Sequence, residues 1–214
     1  MTPSNPIRVA VITGYHPFDV PAFHQVFRSF ADVDCYPQNL EDFATSPDQA
    51  RQWYDVLVFY NMHMEPLGEV GWQPAARHAI EMLGEAEQGV LILHHALLAW
   101  PGWQVWNDIV GIDDRSFGYH YGETVNVHVA APGHPITQGL SDWTMLDETY
   151  TMADCSPDSE ILLTTEHPKS MRTLAWTRQY KQSRVLCFES GHDNDTYQDP
   201  NFRTFLHQGI QWLA

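Results

Sequence analysis

Basic residues are scarce in this chain. Its 214 residues hold 11 Lys plus Arg against 27 Asp plus Glu, only Lys169 and Lys181 are lysines, and the formal net charge is −16. Such a surface repels phosphate backbones and anionic lipid head groups, so neither a nucleic-acid partner nor membrane attachment is expected. No stretch reaches the roughly 18 apolar residues of a membrane span. Residues 1–8 are polar and proline-bearing, with no basic segment leading into an apolar one, and a cytoplasmic chain without a secretory leader is expected.

Cysteine is also rare. Cys35, Cys155 and Cys187 are far apart, odd in number and form no C-x-x-C pair, which argues against a disulfide framework or a cysteine zinc site. Cys35 and Cys187 fall inside predicted strands and Cys155 lacks a basic neighbour, so none is placed for thiol catalysis. There is no G-x-S-x-G elbow for a serine hydrolase. Neither G-x-x-x-x-G-K-[ST] nor a G-x-G-x-x-G after the first strand is present, so no nucleotide cofactor is expected.

What is present describes a folded α/β chain. Hydrophobic residues make up 43% and charged residues 18%, the balance of a globular protein rather than a disordered one. Short apolar runs bounded by turn residues predict strands at 8–13, 55–60, 89–93 and 184–189, with a weaker one at 33–36. They lack clean alternation, as parallel strands covered on both faces do. Helical spacing of apolar residues lies between them, at 21–31, 74–87, 103–110 and 200–213. Residues 124–130 alternate, and 161–165 and 173–177 are short strands without long helices between them. Together these predict a doubly wound, mostly parallel sheet with an antiparallel extension, in a single domain over 1–214.

Histidine and tryptophan are abundant, at 12 and 8 residues. In an open α/β sheet, ligands bind beyond the carboxyl ends of the strands. Each of four predicted strands is followed there by histidine: His16 after the first, then Asn61-Met62-His63, His94-His95 and His192-Asp193. At this histidine frequency a four-residue window holds one about one time in five, so four of four is a signal. Converging imidazoles serve metal coordination or proton transfer. Asp147, Glu148 and Asp193 are the carboxylate candidates to complete a shell, Glu148 following a turn-rich stretch at 139–143. His120 adds an imidazole on a glycine-containing loop at 117–122. No H-E-x-x-H or H-x-H pattern fixes a ligand pair. His94 and His95 are adjacent, so one faces the site and the other supports it.

Several stretches resemble one family. Thr13-Gly14-Tyr15-His16-Pro17-Phe18 with Pro21-Ala22-Phe23, GVLILHHALLAWPGW at 89–103, His134 to Leu140 (HPITQGL), Asp147-Glu148-Thr149-Tyr150 and Gly191-His192-Asp193 are similar to ThuA-like (trehalose-utilisation) proteins, in the family's order from residue 8 onward. The resemblance implies a flavodoxin-like sheet related to class I glutamine amidotransferases. In that superfamily a nucleophilic cysteine follows a central strand. Here His94 takes that position, which removes the thiol and its amidotransfer chemistry. The resemblance also implies a small-molecule sugar partner, a disaccharide or its 3-keto form.

Two functions follow. One is a sugar-processing enzyme, with His16, His94, Glu148 and Asp193 in acid/base roles. It would use a divalent metal, zinc or similar, on His95, His192 and Glu148, and would bind substrate through Tyr15, Phe18, Asn61, Trp100 and His120. The other is a non-catalytic sugar-binding or regulatory protein on the same pocket. The surplus of aromatic residues further predicts a symmetric homodimer.

Overall fold

A computed structural model describes residues 5–214. Four parallel units come first. β1 (Ile7–Gly14), β3 (Val56–Asn61) and β4 (Gly89–Leu93) form the centre, and β2 (Val33–Asn39) lies outside β1. β9 (Ser183–Phe188) joins β4 in parallel from the other side. β8 (Thr173–Tyr180), β7 (Glu160–Thr164), β5 (Gly118–Val129) and β6 (Trp143–Thr151) then extend the sheet antiparallel. Among the described residues the order is β2-β1-β3-β4-β9-β8-β7-β5-β6, nine strands in one sheet.

Side chains alternate across each strand, and both faces are covered, which explains the unbroken apolar runs. Val9, Val11, Val58, Tyr60, Leu91 and Leu93 face one core. That core is closed by α1 (Val20–Arg28) and α7 (Pro200–Leu213) through Phe23, Phe27, Phe202 and Phe205. Ala10, Ile12, Leu57, Phe59, Val90 and Ile92 face the other. There α2 (Leu40–Thr45), α4 (Gln73–Glu81) and α5 (Gln104–Val110) pack over them, with the short α3 (Asp48–Arg51) beside. Each fully buried Leu or Phe contributes about 1.5–3 kcal/mol.

Helix starts follow their capping residues. Asp19 accepts from the Ala22 amide at the head of α1, and Asp199 accepts from Asn201 and Phe202 at the head of α7. In both, proline sits in the first turn, where its missing N–H costs nothing. Asp193 caps the five-residue α6 (Asn194–Gln198) in the same way.

Three expectations need correction. The glycine-containing stretch 117–122 is not a loop: β5 already begins at Gly118 and pairs with β6 across Gly118–Thr151. Glu148 lies within β6, a strand the alternation did not reveal because five consecutive residues, Asp147 to Thr151, are polar or aromatic. The helix expected over 74–87 ends at Glu81, where Gly84 at φ 80° breaks the pattern. Many aromatics are consumed by the cores, Trp100, Trp106, Trp176, Tyr60 and Tyr150 being fully buried. Their number therefore ceases to argue for a partner subunit. No helix among the described residues is long and apolar enough to cross a membrane.

Candidate functional site

The carboxyl ends of β1, β4 and β9 bring their histidines together. His16 stacks on His95 at 4.2 Å between ring centroids and meets His192 edge-on at 5.7 Å. His94 lies 5.3 Å from His95 and 5.4 Å from His192. Glu148 enters from β6, with Oε1 3.6 Å from His94 Nε2 and Oε2 3.7 Å from His192 Nε2. One donor atom from each of His94, Glu148 and His192 falls within 4.8 Å of the other two.

Local backbone aims these side chains. β4 ends at Leu93 and the chain turns at once into a short 3-10 segment, His94–Leu98. His94 sits in the left-handed region at φ 52°, rare for a residue with a Cβ. The kink turns its imidazole toward β6, and His95 turns back toward β3. After β9, Gly191 at φ 130° takes a conformation open to glycine alone, and His192 follows it. Asp147 fixes that loop: its carboxylate accepts from the amides of Gly191 at 2.8 Å, His192 at 3.0 Å and Glu148 at 2.9 Å. A single buried side chain thus ties together the backbones of two site residues.

His94 is wholly buried, and its Nδ1 donates to the Glu189 carbonyl at 2.6 Å. That leaves Nε2, 2.8 Å from the Tyr150 hydroxyl, as the ring atom facing Glu148. Burial works against charge on this ring, but Glu148, Asp147 and the Glu189 carbonyl outweigh it and raise its pKa. Glu148 is affected in the opposite sense. Burial would raise its pKa, yet His94 and His192 hold it below the ordinary carboxylate value. His16 is pushed down by burial and then by His94 and His192, which favours its neutral ring. His95 is pushed down further, by burial first and then by His94 and His16.

The expected ligand set changes by one residue. His94, rather than His95, stands with Glu148 and His192. His95 donates Nε2–H to the Tyr60 carbonyl at 3.0 Å, and its ring is held between His16 and Tyr60. It supports the cluster from below. Asp193 lies at the cluster's outer edge, Oδ2 3.5 Å from His192 Nδ1. Phe18 borders, with Pro17, Asp19, His192 and Asp193, an open cleft of about 250 Å³ beside the cluster.

Four expected substrate contacts lie elsewhere. His120 is on the face of β5 near Glu123. Its neighbour Tyr121, which sequence reasoning passed over, covers His192 at 5.1 Å. The two-residue period puts Tyr119 and Tyr121 on one face and His120 on the other, and the register shift between His120 and Glu123 brings that pair together; both were hidden while 117–122 was read as a loop. Asn61 is fully buried and bonded to His63, and Trp100 is buried against His63. Tyr15 is exposed, but its ring lies over His63 rather than over the cluster. Tyr150 and Glu189 were also missed. Their only sequence signal was adjacency to Glu148 and to the end of a strand.

A family model described as ThuA, trehalose utilisation, matches residues 16–213. The chain belongs to the ThuA family. No curated protein matches its sequence. Among solved structures, a ThuA-like protein from Parabacteroides merdae superposes with a TM-score of 0.74 at 19% identity, over 98% of this chain and 90% of its own. A ThuA-like protein from Bacteroides uniformis gives 0.76 at 18%, covering 100% and 94%. A glutamine amidotransferase from Thermotoga maritima gives 0.61 at 10%, covering 98% and 99%. These likenesses establish the fold as ThuA-like and glutamine amidotransferase-like. The sharp turn after β4, the place expected to hold a nucleophile in that superfamily, carries His94 with its left-handed backbone.

Proposed function

We propose that this ThuA family member is a sugar-processing enzyme acting on a disaccharide or its keto form, with His94, Glu148 and His192 holding a divalent cation. The observation that carries the reading is the approach of these three donors to within 4.8 Å of one another. Two features of the donor set support a metal. Glu148 Oε2 is buried and has no hydrogen-bond partner. His94 donates its other ring nitrogen to a carbonyl, and His192 Nδ1 faces Asp193. Metal-bound histidines are oriented by outer partners of this kind. Two histidines and one carboxylate are a ligand set of catalytic zinc sites.

A bound cation would polarise a sugar carbonyl or hydroxyl as a Lewis acid. The chain's own groups move protons. Burial favours the neutral ring of His16, and its buried Nδ1 lacks a partner, so it can accept the acidic proton beside a keto group. The electron pair of that C–H bond then forms the new double bond while the glycosidic C–O bond breaks, and the leaving oxygen takes the proton from the His16 imidazolium, which restores the base. Tyr121 covers His192 from β5.

The test is metal analysis of purified protein, then incubation of metal-loaded protein with trehalose, sucrose and their 3-keto derivatives. About one equivalent of a first-row metal and product from a keto sugar are expected. Sugar affinity without any product would favour the non-catalytic binding protein.

A further inference from the structure

Tyr15 and His16 are neighbours whose rings go to different places. His16 lies on His95 in the cluster, whereas Tyr15 lies on His63, 4.1 Å between ring centroids. Tyr15 is 72% exposed and held at φ 61°. Gly14 before it leaves room for this contact, because a Cβ there would come within 3.2 Å of the His63 ring. His63 itself is 4% exposed, enclosed by Tyr15, by Trp100 stacked at 5.6 Å and by Trp72 edge-on at 5.6 Å.

These residues line two small cavities. One, of about 40 Å³, lies among Tyr15, His63 and Trp72. The other, of about 200 Å³, lies among Arg77, Trp100 and Trp103. Pro66 and Leu67 belong to the walls of both, so the cavities adjoin. The larger holds the volume of on the order of six waters.

The walls carry buried polar atoms that nothing in the protein satisfies. The Asn61 amide donates to His63 Nδ1 at 3.1 Å, which leaves the ring proton on Nε2, and Nε2 has no partner. Trp100 Nε1 and Arg77 Nε are unpartnered as well. Buried N–H groups without acceptors are uncommon in folded proteins and call for a missing partner. Three such donors on residues that line the cavities, beside the rings of Trp72, Trp100 and Trp103, suit the hydroxyl oxygens and C–H face of a sugar. An anion fits less well. Burial takes the His63 pKa down to about 4 and leaves the ring neutral, Arg77 is paired with Glu69 at 3.6 Å, and Glu65 stands at the rim.

We propose that the adjoining cavities form a second sugar subsite, which takes the non-reacting hexose ring of a disaccharide whose other ring meets the histidine cluster. The proposal rests on the sugar-processing reading of that cluster for its choice of substrate. Both sites are carried by the same backbone. Tyr15 precedes His16, and Trp100 closes the turn that opens at His94 and donates its amide to the His63 carbonyl at 2.6 Å.

Saturation-transfer NMR with methyl α-glucoside and with trehalose, on protein kept metal-free with EDTA, tests this apart from any turnover. Both sugars should bind wild type. Trp103→Ala and Tyr15→Gly should each weaken binding at least fivefold, the glycine being compatible with the left-handed backbone at 15. His192→Ala should keep methyl α-glucoside affinity within twofold, even if it abolishes metal binding. Failure to bind either sugar, or affinity unchanged in both aromatic variants, would overturn the subsite and leave the cavities to water. Binding that His192→Ala removes while the aromatic variants retain it would overturn it equally. Should Trp103→Ala not fold, Tyr15→Gly at the surface decides alone. An absence of metal or of turnover in the wild type refutes the cluster reading and leaves these outcomes intact.

Discussion

Glu189 offers a perturbation whose size follows from its surroundings. It stands just past β9 with 1% exposure. Oε1 accepts from the Tyr150 amide at 2.9 Å, and the Ser190 hydroxyl lies 3.5 Å from Oε2. Burial, then the charge of Asp147, raises this carboxyl from 4.5 to about 8, with His94 acting in the opposite direction. In the native protein it is therefore a neutral acid at pH 7, whereas in the unfolded chain it is ionised. The folded pKa is the higher one, so its contribution to stability is fully present below pH 4.5 and is lost as pH rises through 8. A shift of that size corresponds to about 5 kcal/mol across the window. Glu189→Gln keeps the acceptor for Tyr150 and the shape of the side chain but cannot ionise. Urea unfolding of metal-free protein at pH 5, 7 and 9 should show the variant gaining several kcal/mol on wild type between the extremes. Titrating groups remote from Glu189 cancel from the difference; His94, which senses its charge, does not cancel fully. Parallel stability curves would show that Glu189 is ionised in the fold, and the buried acidic frame around His94 would then need another account.

The remaining predictions concern the ligand set and its support. His192→Ala should lower zinc affinity by at least a hundredfold in calorimetric titration, with melting within a few degrees of wild type. His95→Ala should do the reverse, costing roughly 1–3 kcal/mol of stability and altering zinc affinity less than threefold; equal losses of affinity would restore His95 as a ligand. Zinc must displace the proton that the acidic surroundings hold on His94, so affinity should fall as pH drops, and a flat profile would exclude that ring. Asp147→Asn turns one of the two acceptor oxygens into an NH2, so that either the Gly191 amide or those of Glu148 and His192 face a donor. It should weaken zinc binding about 10- to 100-fold and cost on the order of 1–3 kcal/mol, read from the same titration and a urea curve. Unchanged zinc affinity would reduce Asp147 to a loop tie.

The sequence made some of this legible because burial leaves a periodic trace. Strands β1, β3, β4 and β9 are apolar on both faces, and their histidines stand at ends that the parallel topology must place on one edge. Hence the meeting of His16, His94, His95 and His192 could be read before any coordinates. β6 could not, because its inner end is polar for the sake of the site: Asp147, Glu148 and Thr149 are buried there at 5% exposure or less. Its register against β5, which puts Tyr119 opposite Tyr150 and His120 opposite Thr149, arises from a pairing between segments with no shared local signal. The choice between His94 and His95 had a further obstacle. Spacing says only that neighbours diverge, and which one turns inward depends on a φ of 52° that a histidine adopts under tertiary constraint. That constraint is visible in the fold: the Glu189 carbonyl takes Nδ1 of His94, and the Tyr60 carbonyl takes Nε2 of His95. Each ring is claimed by the strand beside it, His94 by β9 and His95 by β3. The strand order, more than the residue types, therefore assigns their roles.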